Sequence, residues 1–455
     1  MKITLIKPTI GTKSNNLYID EGRMEPLQLG VIAALMPARI EVAMYDDRME
    51  KIPFDEPTDA VMITIETYTA KRAYEIADEY RNRNVPVIIG GMHARLATRE
   101  VMEHCDCTVS GDAENILPEL IDDLENNRLH KLYQCGVADP PQKNLPARRD
   151  IFTGKGYLPV SLMQFSRGCV NECNFCACSV YFDKSHCCRA VEDVVAEIKS
   201  QKRKFVFFVD DNIVADKNKA KALFRALIPL KINWVSQGTI NMVYDDELMR
   251  LIVESGGMGF VVGFESINPE SVDNIGKSVN KERGFNKYRD EIAVLRKWGL
   301  QTWAAFTIGH DADTIESIKQ TVDWALRNKF AFAAFNILMP YPQTPLYKQL
   351  QAEGRLLYDG RWWLHDEYRF NRASFIPKNM TPDELTEVGF YCRKKFNSPL
   401  SVFKRMFDFK TNMRTPKKFI TYWLYNPLFR KEVYKKQGLR FGLNHFLHGK
   451  NLRGG

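Results

Sequence analysis

From Lys2 to Leu338 the chain alternates short β-branched or aromatic runs with longer stretches of helical periodicity. That alternation confines it to parallel sheets covered by helices. Runs at 2–7, 41–45, 59–65 and 85–89 predict strands, with helices over 30–35 and 70–83 among them. A proline-rich break, Asp139-Pro140-Pro141-Gln142-Lys143-Asn144-Leu145-Pro146, then interrupts the pattern, and such segments favour extended linkers. Six further strands are predicted at 158–165, 205–209, 232–236, 259–263, 302–308 and 333–338, with helices such as 191–199, 245–255 and 314–329 among them. The fold class is therefore α/β, in a chain of 455 residues that has room for two to three domains. The expected domains are 1–140, a doubly wound parallel sheet; 141–157, a linker; 158–355, a six-stranded strand–helix domain; and 356–455, a mainly helical, basic region.

Directly after the strand at 158–165 comes Ser166-Arg167-Gly168-Cys169-Val170-Asn171-Glu172-Cys173-Asn174-Phe175-Cys176, a C-x3-C-x2-C spacing. Three thiolates so close together can hold three irons of a cubane 4Fe–4S cluster and leave the fourth iron open. An electron-transfer ferredoxin would add a fourth local cysteine, and a structural zinc site would close with four ligands. Cys178, Cys187 and Cys188 lie nearby, with His186 beside the vicinal pair. A spectator thiol is the preferred reading of Cys178, and neighbouring cysteines are poorly placed to share one metal. A zinc knuckle or a reduced cysteine cluster is the plain alternative for the whole run.

The spacing, the glycine before Cys169 and the aromatic Phe175 before Cys176 resemble the radical S-adenosylmethionine (AdoMet) superfamily. The resemblance implies an open, partial (β/α)6 barrel of the TIM type at 158–355. It also implies a 4Fe–4S cluster on Cys169, Cys173 and Cys176 whose open iron chelates AdoMet. Reductive cleavage would then give methionine and a 5′-deoxyadenosyl radical, with electrons from a protein such as a flavodoxin or ferredoxin. Phe175 would pack near the adenine, Asp210 and Asp211 would lie toward the methionine moiety, and Glu265 and Ser266 toward the rest of AdoMet. For each carboxylate the plainer role is a helix cap or a loop ion pair. Met339-Pro340-Tyr341-Pro342-Gln343-Thr344-Pro345-Leu346-Tyr347 is similar to a late segment of the family, with Gln343 where relatives have glycine. In Gly309-His310-Asp311-Ala312-Asp313-Thr314, Asp313 or Thr314 is a candidate cap for the next helix.

The loops 64–69, 90–94 and 110–114 would share the carboxyl edge of the first sheet, where such folds bind ligands. Together with the cysteine motif downstream they resemble the cobalamin-binding domain that precedes many radical AdoMet barrels. The resemblance implies cobalamin contacts at Thr64, Gly90, Gly91, His93, Gly111 and Glu114, with His93 a contact rather than a cobalt ligand. The mutase type carries an Asp-x-His-x-x-Gly loop whose histidine ligates cobalt. Here that loop reads Asp46-Asp47-Arg48-Met49-Glu50-Lys51. Either cobalamin is held without a lower histidine or the domain binds no corrinoid.

Charge is unevenly spread. The net charge is +8, yet residues 390–455 hold 16 lysines and arginines, 14 aromatics and only Asp408 and Glu432 as acids. Basic and aromatic residues together suit a membrane interface. They also suit exposed RNA bases, which weighs less here, or a helical cap with a solvated basic face. The start, Met1-Lys2-Ile3-Thr4-Leu5-Ile6, reads as a strand and not as a secretory signal. Ten cysteines are then expected as reduced thiols in the cytoplasm, with the protein peripheral at the membrane if the basic region docks there.

The leading expectation is a radical AdoMet enzyme that, with cobalamin, methylates an unactivated carbon of a small-molecule or lipid-like substrate. Its rivals are radical cyclisation, oxidation or carbon–carbon coupling without methyl transfer; an RNA-modifying radical AdoMet enzyme; and a non-enzymatic corrinoid- or metal-binding protein. Cys105, Cys107 and Cys135 lack the spacing of a second cluster, which counts against the RNA-modifying type.

Overall fold

Strand β1 (Lys2–Lys7) is buried along nearly its whole length, as a central parallel strand must be when helices cover both sheet faces. It pairs in parallel with β2 (Glu41–Asp46) on one side and β3 (Ala60–Thr64) on the other. The sheet continues through β4 (Val87–Gly90), β5 (Cys107–Ser110) and β6 (Leu132–Gln134), giving the order β2-β1-β3-β4-β5-β6. Ile3, Leu5 and Met62 of these strands pack against Leu29 and Ala33 of α1 (Leu27–Leu35) and Leu120 and Ile121 of α3 (Leu117–Glu125). Ala73, Ile76 and Ala77 give α2 (Ala70–Arg81) its buried face. The strand order reverses between β1 and β3, so the crevice of this sheet lies at their carboxyl ends.

This is a computed structural model, and it describes residues 1–13, 16–17, 23–137, 145–275 and 287–443. Two compact units emerge: Met1–Tyr157 with Leu357–Phe370 and Gly438–Gly455, and Leu158–Leu356 with Asn371–Gln437. Most of the proline-rich break and the last twelve residues lie outside the described residues. The C-terminal region is thus shared between the units. Trp362, Tyr368 and Phe441 are buried in the first unit, and Tyr68 meets Trp362 and Phe370 at ring distances of 5.2 and 5.3 Å.

The second unit is built on β7 (Ser161–Met163), β10 (Phe205–Phe208), β11 (Asn233–Gln237), β12 (Gly257–Glu265), β13 (Gln301–Ile308) and β14 (Phe332–Ile337). All neighbours are parallel, in the order β14-β13-β12-β11-β10-β7. The sheet is open, with β14 and β7 at its edges. A separate antiparallel hairpin joins β8 (Ser166–Gly168) to β9 (His186–Cys188). Helices α4 (Val191–Lys199), α5 (Lys217–Leu227), α6 (Asp246–Glu254), α7 (Tyr288–Trp298) and α8 (Ile315–Arg327) connect the strands. Phe264 and Phe335 both stack on Phe306 in the core, with ring centroids 6.0 and 5.2 Å apart.

Helix signals in the sequence hold. Thr314 caps α8 with Ser317 in a reciprocal box, while Asp313 closes the loop instead, accepting from the Gly309 and His310 amides and the Ser271 hydroxyl. Thr344 caps α9 (Pro345–Ala352) and Thr381 caps α10 (Pro382–Phe396), both with proline in the first turn. The basic region then forms α11 (Pro399–Met406) and α12 (Pro416–Lys436).

Gln343 occupies the left-handed region, φ 67°, which explains why glycine suits that position in relatives. A left-handed L-residue costs about 1–2 kcal/mol, and glycine gives back about 0.5–1 kcal/mol through its freer unfolded chain. Gln343→Gly is therefore expected to stabilise the protein by about 0.5–1 kcal/mol, read as a rise in melting temperature. A fall would show that the Gln343 side chain makes a larger contribution than the strain it carries.

Candidate functional site

The cysteine loop begins where β7 ends, and a buried carboxylate fixes that corner. Asp210 is fully buried and accepts from the Phe165 amide at 3.1 Å, from the Ser166 amide, and from the Ser166 hydroxyl at 2.6 Å. Burial outweighs these bonds and pushes its carboxyl up to about 7. Asp211 accepts from the Gly168 amide at 3.1 Å and from the Cys178 thiol at 3.1 Å. Two adjacent carboxylates at the end of β10 thus hold the backbone of Phe165, Ser166 and Gly168 that leads into Cys169.

Asn174, which the sequence does not single out, stitches the middle of the loop. Its amide donates to Ile275, its side chain to the Asn274 carbonyl, and its own carbonyl accepts from Leu346 at the start of α9. An asparagine between cysteines reads as an ordinary turn residue, so no local signal marks it. Ser179 closes the far side by donating to the Asn171 carbonyl at 2.9 Å.

None of the ten cysteines is in a disulfide. Burial pushes the Cys169 thiol up, while the Asn171 amide and side chain act against this. Cys176 is shifted the other way, because the Cys178 thiol and the amides at Cys178 and Ser179 donate to it. It is the N-cap of the short helix Ala177–Tyr181, where backbone donors favour a thiolate. Three thiols in one loop, one held toward the thiolate, fit the donor set of a three-cysteine cluster. Among the described residues no three His, Cys, Asp or Glu side chains converge as a single metal ion would require. A cubane makes no such demand, since each thiolate ligates its own iron. Cys187 and Cys188 lie on β9, paired with Arg167 and Ser166.

Phe175 is half-buried and packs on the core of the second unit. At the end of β12 the register shifts by one residue, and Glu265 takes φ 65°. Such strain persists only where surroundings impose it, and it clusters at functional sites. Ser266 accepts from the Asn268 amide at 3.0 Å.

In the first unit the loop after β2 is closed by ion pairs. Asp46, fully buried, takes a bidentate bond from Arg48 and the Tyr157 hydroxyl at 2.8 Å. Asp47 takes a bidentate bond from Arg72 at 2.8 and 3.0 Å and the Thr9 amide. Glu50 is held by Lys155. Where the mutase type has its histidine, this loop has no imidazole, and each of its carboxylates is paired with a cation.

Thr64 and Gly90 are register partners at the carboxyl edge. Gly91 has φ 113°, and a Cβ there would stand 2.7 Å from the Ile65 carbonyl oxygen; at Gly111 it would stand 2.4 Å from that of Cys135. Both glycines are thus required by the sheet itself. Gly90 has ordinary room for a side chain, and Glu114 is half-buried in a short 3-10 turn. At the β1 end of the crevice the Thr9 hydroxyl is buried without a partner among the described residues, a polar atom that a bound group would satisfy.

His93 follows the second glycine of this edge. It is fully buried, with Thr67 on Nδ1 and Glu100 on Nε2, each at 3.1 Å. Tyr74 and Trp363 donate to the same Glu100 carboxylate. The imidazole is one spoke of a buried polar hub and has no nitrogen to offer a ligand.

Residues 163–325 match the Radical SAM superfamily and residues 20–121 the B12 binding domain. The chain belongs to the radical AdoMet superfamily, in the branch with an N-terminal cobalamin-binding-type domain. Those domains imply a 4Fe–4S cluster, AdoMet and cobalamin as cofactors. Relatives include the bacteriochlorophyllide d C-12(1)-methyltransferase of Chlorobaculum tepidum, 27% identical over 89% of this chain and 89% of that protein. The bacteriochlorophyllide d C-8(2)-methyltransferase of the same organism is 28% identical over 79% and 83%. Among solved structures, the radical AdoMet methyltransferase TsrM of Kitasatospora setae, with cobalamin and a [4Fe-4S] cluster bound, shares the fold at a TM-score of 0.61. The two are 18% identical, and the match covers 77% of this chain and 78% of that one.

Burial alone would raise the Glu100 carboxyl, but the bonds from His93, Trp363 and Tyr74 outweigh it and hold it below the usual range. Its contribution to stability is therefore fully present above pH 4.5, the ordinary value, and is lost as the pH falls toward the folded one. Glu100→Gln is expected to lower the melting temperature at pH 7 and to differ less from the parent at pH about 4. A gap that widens on acidification would refute the hub.

Proposed function

We propose that this protein is a cobalamin-dependent radical AdoMet C-methyltransferase acting on an unactivated carbon of a small-molecule, apolar or lipid-like substrate. The observation that supports it best is the pairing, in one chain, of a three-thiol loop with a cobalamin-type sheet whose histidine position is filled by ion pairs. The relatives, named methyltransferases over most of both chains, support the same reading.

In this reading residues 1–140 bind the corrinoid and 158–355 bind AdoMet. Cys169, Cys173 and Cys176 hold the cluster. Asp211, Glu265 and Ser266 border AdoMet, with Phe175 against its adenine. Asp210 acts from behind, by holding Phe165 and Ser166 in place. Thr64, Gly90, Gly91, Gly111 and Glu114 border the corrinoid. Reductive AdoMet cleavage and methyl donation are the chemistry those groups supply when bound; the protein orients them and excludes water and oxygen. Reducing equivalents would come from a flavodoxin- or ferredoxin-type protein, and an apolar substrate would suit a place at a membrane surface. No helix among the described residues is long and apolar enough to cross a membrane.

Anaerobic reconstitution with iron, sulfide and AdoMet tests the cluster assignment. Cys169→Ala, Cys173→Ala and Cys176→Ala are each expected to abolish AdoMet cleavage and the cluster's absorbance, whereas Cys178→Ala keeps the absorbance. Loss of the cluster in Cys178→Ala would mean a fourth thiol ligand and would sink the open-iron reading. A methyl-free product would favour cyclisation, oxidation or coupling.

A second measurement addresses the corrinoid. Bound cob(II)alamin is expected to give a paramagnetic resonance spectrum without nitrogen splitting from a protein imidazole. A nitrogen splitting that changes when the protein's histidines are labelled with 15N would overturn the assignment of the Asp46–Lys51 loop.

A further inference from the structure

Helix α12 buries Tyr422 and packs Phe429 on Trp303 and Phe332, yet it turns a second apolar stripe outward. In a helix packed on a soluble domain the apolar stripe faces the core. Here the buried residues are Lys418, Tyr422 and Asn426, spaced i, i+4, i+8 on one face. The opposite face carries Ile420, Trp423 and Leu424, with Trp423 50% and Leu424 59% exposed. Helix α11 repeats the pattern. Val402 and Arg405 are buried, while Leu400, Phe403 and Phe407, at i, i+3 and i+7, stand outward. Phe409, in the turn that follows, is 74% exposed.

The inward faces explain why both stripes point away from the protein. Arg405 donates to the Phe330, Ala331 and Phe396 carbonyls and to the Asn426 side chain. Tyr422 donates to the Val402 carbonyl at 2.6 Å, and Lys418 to the Gly299 carbonyl. These bonds fix the rotation of each helix through the face opposite its apolar stripe. The stretch from Tyr391 to Tyr434 holds more than half of the large hydrophobic side chains that stand exposed among the described residues.

Charge identifies the occupant. Only two acids fall between residues 390 and 443, and both are neutralised. Asp408 is buried beneath a bidentate bond from Arg296, and Glu432 pairs with Lys436. Lys404, Lys410, Lys417 and Lys431 are exposed along the same elements. A protein partner's apolar patch would not need this one-signed rim. An anionic lipid surface meets both features, since aromatic side chains settle at the headgroup level and each lysine gains from the negative surface potential. We propose that α11, the turn through Phe409 and the outward face of α12 form a docking surface for anionic membranes.

The full-length protein, sedimented with vesicles, tests this without AdoMet or substrate, so its outcome is separable from the methyl-transfer reading. Vesicles of phosphatidylcholine containing phosphatidylglycerol are expected to carry the protein down at low salt, and less of it at high salt. Pure phosphatidylcholine should bind at least tenfold more weakly. Phe403→Ser with Trp423→Ser changes two exposed residues, and light scattering with circular dichroism checks that the variant is folded. This double variant is expected to lose anionic-vesicle binding at least tenfold. Failure of the parent to bind either vesicle overturns the proposal. A parent dimer that the double variant makes monomeric, with no vesicle binding, would assign the face to a second copy. Retention of RNA by both proteins, again without vesicle binding, would assign the basic rim to nucleic acid.

Discussion

A single buried carboxylate governs the chemistry-bearing half of the molecule. Asp210 ties the amides of Phe165 and Ser166 to the end of β10, so the chain leaves β7 in one direction only. Everything in the cysteine loop depends on that corner: the β8–β9 hairpin, the Gly168 amide on Asp211, and the start of the thiol run. A neutral side chain of the same shape would avoid the desolvation that raises Asp210. It could not, however, accept three hydrogen bonds from two neighbouring residues. The protein tolerates an ill-solvated acid because the loop behind it must not move. Three thiols assemble a cluster only if their backbone is fixed first, and Asn174 does for the middle of the loop what Asp210 does for its start.

The two units solve opposite electrostatic problems. At the cysteine loop, donors converge on sulfur and favour the charged form of Cys176. In the loop after β2, by contrast, every carboxylate is cancelled by a cation of the same unit: Asp46 by Arg48, Asp47 by Arg72, Glu50 by Lys155. Buried pairs of this kind are weak evidence for stability, because desolvation consumes most of the Coulombic gain. Their consequence is conformational. A loop whose carboxylates are all paired with cations is held in place rather than left to collapse into the crevice beside it. The missing histidine is thus the positive feature of a wall, held by Arg72 on a helix and Tyr157 far along the chain.

Much of the fold was legible because strand and helix periods are local. The six strands of the second sheet were readable from apolar runs, and Thr314 was one of two candidates for the cap of the helix that follows it. Strand β6 was not, since its three residues have only Tyr133 buried. Nor was the return of residues 357–370 to the first unit, which rests on Tyr68 meeting Trp362 and on Glu100 meeting Trp363, the latter pair 263 positions apart. His93 shows the same limit at a candidate site. Its two partners come from a 3-10 turn and a helix that no local pattern connects to it. Arg72 was silent for the same reason, being one basic residue among several on α2.

The C-terminal helices show what a helix gives up when its apolar stripe is turned outward. Arg405 is sealed with carbonyl partners and no carboxylate, and burial pushes it down to about 10. Lys418 falls to about 8 for the same reason. Hydrogen bonds from charged donors are worth about 1.5–3 kcal/mol each, which offsets the desolvation without yielding the surplus that leucines in those places would give. Exposing Trp423, Leu424 and Phe403 forgoes a further ~1.5–3 kcal/mol per side chain. A sequence under no other constraint would exchange the two faces. The rotation is imposed by bonds to Gly299, Phe330 and Ala331 at the strand ends of the barrel-type sheet, so the outward stripe is as firmly specified as the core. An apolar face fixed with that rigidity, rimmed by lysines and without an unpaired acid, has the two features that an anionic surface of the kind proposed would engage.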